Sequence, residues 1–78
     1  MRVLAFGIAK EILGAAQAEV PLEAGITTAS LKAVLEEQYP GLKKLASFAI
    51  AVNGEYATAN ALIKEGDEIA IIPPVSGG

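Results

Sequence analysis

The chain has 78 residues, 53% of them hydrophobic, and a net charge of −3. That length makes one domain with a modest core, and the absence of Cys and His excludes disulfides and zinc or other nitrogen- and sulfur-ligated metal centres. The acidic balance opposes binding to nucleic acid or an anionic membrane, and no apolar stretch reaches spanning length, so a soluble, cytoplasmic chain is expected.

In chain order, Arg2 to Ile8 predicts a strand with Val3 and Ala5 on one face and Leu4 and Phe6 on the other. Ala9 to Leu13 predicts one or two helical turns closed by Gly14 as a C-cap. Gln17 to Glu23 alternates, with Ala18, Val20 and Leu22 set against polar neighbours. That pattern is a half-buried strand pairing antiparallel with the first. Pro21 confines it to a sheet edge or bulge, because proline cannot donate to a ladder.

Thr27 or Thr28 is the expected N-cap of the main helix, which runs to about Gln38. Leu31, Val34 and Leu35 fall on one face, with Lys32, Glu36 and Glu37 toward water. Tyr39-Pro40-Gly41 ends it, and Leu42 with Leu45 suggests one more turn. Phe48 to Asn53 predicts a strand, Asn53-Gly54 a tight hairpin turn, and Glu55 to Ala57 the return strand. After the turn Glu65-Gly66-Asp67, residues Glu68 to Ile72 close the sheet. Asn53 and Asp67 are expected to serve turn geometry.

The order is hairpin, main helix, three strands. It predicts an α+β fold, the β-grasp or ubiquitin-like order, with a mixed sheet of four or five strands on one main helix. The nearly continuous apolar run at Ile69–Ile72 fits a central strand beside the first. Residues 1–72 are expected to form the domain and 73–78 a tail.

That tail is the most informative segment. Pro73 and Pro74 fix φ and favour an extended path, projecting Val75, Ser76, Gly77 and Gly78 from the body. Two glycines without Cβ can enter a slot too narrow for other residues, and the Gly78 carboxylate becomes a reactive group on a thin stalk. The rest of the chain offers nine Asp/Glu, six Lys/Arg and two Tyr in no catalytic constellation, and no phosphate-binding glycine loop. A self-contained enzyme is not expected. Lys10-Glu11, Lys43-Lys44 and Lys64 are expected to be solvated surface charges.

Several segments carry a family likeness. They are Phe6-Gly7 with Lys10-Glu11-Ile12-Leu13-Gly14, Thr27 at the helix start, Ala51-Val52-Asn53, Gly66-Asp67-Glu68-Ile69, and the ending Pro73-Pro74-Val75-Ser76-Gly77-Gly78. On these the chain resembles, over its whole length, the MoaD-type sulfur carriers, the small subunits of molybdopterin synthase. The resemblance implies a covalent carrier and not an enzyme by itself. A ubiquitin-activating-type (MoeB-type) adenylyltransferase would use ATP to adenylate Gly78, and a sulfur donor protein would convert it to a thiocarboxylate. The tail from Pro73 to Gly77 would then thread into the MoaE-type large subunit and deliver sulfur to cyclic pyranopterin monophosphate. No cofactor is expected on this chain, ATP belonging to the activating enzyme. Carriers of thiamine, cysteine or tRNA thiolation pathways, and a ubiquitin-like protein modifier, stay open as alternatives.

Strand parity places Val3, Ala5, Ile50, Val52, Ile69 and Ile71 on the helix side of the sheet. It leaves Leu4, Phe6, Ala51, Ala70 and Ile72 on the other, with Tyr56 joining them. A one-residue slip would exchange the two sets. With this parity, Phe6, Tyr56 and Ile72 are the expected partner interface, and in the resembled family that face packs on the large subunit.

Overall fold

The computed structural model describes residues 1–45 and 48–73. Five strands form one sheet in the order β2-β1-β5-β3-β4, with β1 Arg2–Ala5, β2 Gln17–Glu19, β3 Ala49–Val52, β4 Glu55–Tyr56 and β5 Ile69–Ile72. Helix α1 spans Ile8–Leu13, α2 spans Thr28–Gln38, and a 3-10 turn covers Pro40–Lys44. β5 lies between β1, to which it runs parallel, and β3, to which it runs antiparallel. This is the β-grasp arrangement.

The core is the face of the sheet under α2. Val3, Ile69, Ile71, Leu31, Leu35, Leu42 and Val20 are fully buried, and Ala5, Ile50, Phe48 and Ile63 nearly so. They join in a single cluster against which Val52 and Val34 are partly packed. The parity expected for β1, β3 and β5 is therefore the parity observed.

Local signals set the boundaries. Thr27, extended at φ −81 and ψ 160, accepts through Oγ1 from Ser30 N at 3.1 Å, the N-cap of α2. Gly14 closes α1 in the left-handed region at φ 80, its N–H donating to Lys10 O. All five strands are shorter than expected, β3, β4 and β5 by only a residue or two and β1 and β2 by more. β1 stops at Ala5 because the chain turns at Gly7. β2 stops at Glu19, and a tight turn about Pro21, with Leu22 N donating to Val20 O at 2.7 Å, replaces the rest. β2 is an edge strand, where a nearby proline is tolerated.

Lys32 differs from its expected solvated role. It is half-buried, with Nζ 4.6 Å from the centre of the Phe48 ring. Its stem shields an aromatic at the margin of the core while the ammonium sits over the ring face.

Candidate functional site

The site grows from the end of β5. The register Val3↔Ile69, Leu4↔Ala70, Ala5↔Ile71 runs β5 alongside β1, and Ala49↔Ile72 secures its last residue to β3. A strand held on both sides is a rigid root, and Pro73 continues directly from it. Pro74, Val75, Ser76, Gly77 and Gly78, the expected threading and reacting residues, lie outside the described residues.

Beside this root is an apolar surface on the face of the sheet that α2 does not cover. Phe6 is 51% exposed and Tyr56 73% exposed, and Ile72 is half-buried between them. Ala51 and Ala70, paired across β3 and β5, form its floor. These residues line a shallow hollow of about 250 Å³, with Gly54 and Glu68 at its rim. The geometry follows from pairing. Tyr56 sits opposite Ala51 in the β3–β4 ladder, Ala51 opposite Ala70, and Phe6 follows Ala5 at the end of β1. Alanines on the inner strands keep the floor low, and the two aromatics stand on either side. The surface is thus one continuous patch with a single charged group at its edge, suited to a partner's apolar side chains.

The opposite end of the sheet is polar. A larger hollow of about 500 Å³ there is lined by Met1, Leu22, Glu23, Ala24, Lys64, Glu65 and Gly66. Near it a linked pair of turns was missed in the sequence. Asn53, at φ 53, and Gly54, at φ 84, form the β3–β4 hairpin turn. The Asn53 side chain also reaches the turn before β5. Its Nδ2 donates to Asp67 Oδ1 at 2.9 Å, and its Oδ1 accepts from Glu68 N at 2.9 Å. Asp67 Oδ2 accepts from Lys64 N at 2.7 Å. The Lys64 amide first, then the Asn53 amide, hold the Asp67 carboxyl below its ordinary range. The Asn-Gly and Gly-Asp pairs announced each turn separately. Their link depends on the β3–β5 pairing, which brings residues 14 positions apart together.

Lys10, Glu11, Lys43, Lys44 and Lys64 are exposed. Among the described residues no cluster of three or more Asp or Glu could hold a metal ion, and no helix is long and apolar enough to cross a membrane.

Against known proteins, a family model described as the ThiS family matches residues 3–78. The chain is 37% identical over 79 residues to the molybdopterin synthase sulfur carrier subunit of Arabidopsis thaliana, spanning 100% of this chain and 82% of that protein. Among solved structures, it is similar to a chain in the complex of subunits 1 and 2 of the molybdopterin-converting factor from Helicobacter pylori 26695. The identity is 31%, the TM-score 0.66, and coverage 99% of this chain and 96% of that one. It is also similar to small archaeal modifier protein 1 from Methanosarcina acetivorans, at 27% identity and a TM-score of 0.78, covering 99% and 94%.

Proposed function

The chain belongs to the ThiS family, and on that premise we propose that it is the sulfur carrier subunit of a molybdopterin synthase. The observation that carries this reading is the pairing of a rigid root with an uncovered surface. β5 is paired on both sides through Ile71 and with β3 through Ile72, and the Phe6–Tyr56–Ile72 patch lies beside the point where the tail begins. Residues 1–72 act as the body that a partner grips, and 73–78 as the arm that carries the reacting group.

The chemistry belongs to Gly78. A carboxylate is a poor electrophile, so a MoeB-type adenylyltransferase joins it to AMP, using ATP and releasing pyrophosphate. Sulfur delivered at the sulfide level by a donor protein then displaces AMP and leaves a thiocarboxylate, a soft nucleophile at the end of a slender arm. Docked on the MoaE-type large subunit through the patch, the tail presents that sulfur to cyclic pyranopterin monophosphate. Two such deliveries complete the dithiolene. This chain supplies no acid, base or phosphate ligand and holds no cofactor of its own. The relatives named as molybdopterin synthase carriers, and the two-subunit complex among the structural neighbours, support this reading.

The test is intact-mass analysis after incubation with the adenylyltransferase, ATP and sulfur donor. Replacing the carboxylate oxygen by sulfur adds about 16 Da, and the loaded chain then thiolates the pterin in the presence of the large subunit. A chain that never gains this mass, or gains it and transfers only to another acceptor, overturns the assignment. The likeness to small archaeal modifier protein 1 favours one second reading, a modifier joined by Gly78 to lysines. In that case the same experiment in cell extract yields adducts heavier by a whole protein.

A further inference from the structure

We propose that Gly7 is a positioning residue that sets the direction in which the carrier tail leaves the sheet. The inference deepens the carrier reading and rests on it for its consequence in sulfur transfer.

β1 and β5 are parallel neighbours, so both reach the same end of the sheet. Ala5 pairs with Ile71, and continuing that register sets Phe6 beside Ile72 and Gly7 beside Pro73. Beyond this pair the two chains part. β1 is the one that turns aside. Gly7 has φ 56 and ψ −131, and Ala9 N donates to Phe6 O at 3.1 Å. That is a type II′ turn with glycine at its first central position, the position where a positive φ is required. Lys10 N donates to Gly7 O at 3.1 Å, so the same peptide starts α1.

The turn does two things at once. It carries the chain from β1 into α1, and it brings Gly7 beside the ring of Pro73, on the side where an L-residue would carry its Cβ. A Cβ built there would stand 3.4 Å from Pro73 Cγ, in van der Waals contact. The dihedral is the stronger constraint. An L-residue disfavours this φ, and relief requires rotating the Phe6–Gly7 or Gly7–Ile8 peptide, which moves the surface on which Pro73 rests. Five residues reach at most about 18 Å, so a tilt of about 20° at the root displaces the tip of a fully extended arm by up to about 6 Å. A reacting atom misplaced by far less than this loses most of its rate.

A D-residue favours positive φ and directs its methyl group to the side away from Pro73. The chain lacks Cys, so Glu37→Cys on α2 and Ser76→Cys in the tail give a unique pair of spin-label sites, and 78 residues are within reach of total synthesis. We expect Gly7→Ala to shift or broaden the label-to-label distance distribution, and Gly7→D-Ala to keep that of the parent. With unlabelled chains, Gly7→Ala is expected to lower pterin thiolation at saturating carrier at least tenfold, with Gly7→D-Ala restoring it. Sulfur loading and binding to the large subunit are expected to stay near the parent's in Gly7→Ala, whereas a fold defect alone would lower both.

Pro73→Gly tests the other side of the contact. With Gly7 intact it is expected to broaden the distribution, and Gly7→Ala added to it should cost little more. An unchanged distribution in folded Gly7→Ala, or a parent-like one in Pro73→Gly, overturns the proposal. So does full thiolation by Gly7→Ala. If Gly7→Ala does not fold, Gly7→D-Ala and Pro73→Gly decide the matter. If the parent chain never loads sulfur, the carrier reading fails, while the distance measurement still decides the role of Gly7.

Discussion

The two faces of β5 are chemically alike and structurally opposite. Ile69 and Ile71 point under α2 and are 0% exposed. Ala70 and Ile72, one step along the same strand, point to the face with no helix, where Phe6 is 51% and Tyr56 73% exposed. Side-chain type does not separate the faces; cover does. One helix of 11 residues can shield only one side of a five-stranded sheet. The lesson is that an apolar residue in a small α+β domain becomes core or docking surface according to which side the helix takes.

The largest expected effect tests whether function is separable from both faces. Deleting Gly78 should abolish sulfur loading, and Gly77→Val, with its branched Cβ, should cut adenylation and thiolation by orders of magnitude. Neither should move the thermal midpoint, because the core cluster lies entirely within residues 3–71. Full loading of a chain lacking Gly78 would end the carrier reading. A large fall in melting temperature would show that the tail packs on the body.

Next come paired substitutions on opposite faces of the same sheet. Ile71→Ala removes fully buried methylenes and should cost about 2–5 kcal/mol of folding free energy in chemical denaturation. Phe6→Asp should change stability by less than about 1 kcal/mol, since half of that ring is already in water. Its cost should appear in association with the large subunit, at about 2 kcal/mol or more, or roughly thirtyfold in Kd. Ile72→Lys should behave like Phe6→Asp, with a somewhat larger stability loss because Ile72 is half-buried. If calorimetry finds Phe6→Asp unfolding the domain while partner affinity is unaffected in what remains folded, the comparison of faces is wrong.

Much of this was legible in the sequence because local chemistry and global topology agree. Thr27 caps, Gly14 and Asn53-Gly54 turn, and the alternation in β3 and the run in β5 point the same way as the sheet order. The misses are of two kinds. β1 and β2 were read too long because apolar alternation continues through Phe6 and Ile8 and through Val20 and Leu22. The backbone turns at Gly7 and Pro21 regardless. Residue pattern records burial, and residues flanking a turn can be apolar for docking or packing reasons. The other misses are long-range. The position of Lys32 over Phe48 and the Asn53–Asp67 link join residues that meet only once the sheet has formed. The patch was readable by strand parity, but its uncovered state depended on which face α2 chose.

The smallest effect expected concerns the end of the sheet remote from the tail, and it sharpens the contrast between structural and functional ends. The Asp67 carboxylate accepts from Lys64 N and Asn53 Nδ2, which lowers its pKa from 3.8. A carboxyl whose folded pKa lies below its unfolded value contributes stability that is fully present above the unfolded pKa. That contribution is lost as pH falls through the folded one. Denaturation of the parent chain should therefore show this contribution intact at neutral pH and fading only below about pH 4. In Asp67→Asn that part of the acid limb should flatten, and the difference between the two chains should shrink as pH drops. The group is solvent-facing, so the effect is small and weaker in high salt. Sulfur loading at neutral pH should be unchanged in Asp67→Asn, because the linked turns lie at the start of β5 and the tail leaves from its end. A stability difference that stays constant from pH 6 to pH 3 would mean that Asp67 acts through turn shape alone. Lost sulfur loading in a stable Asp67→Asn chain would mean that the remote end takes part in partner recognition.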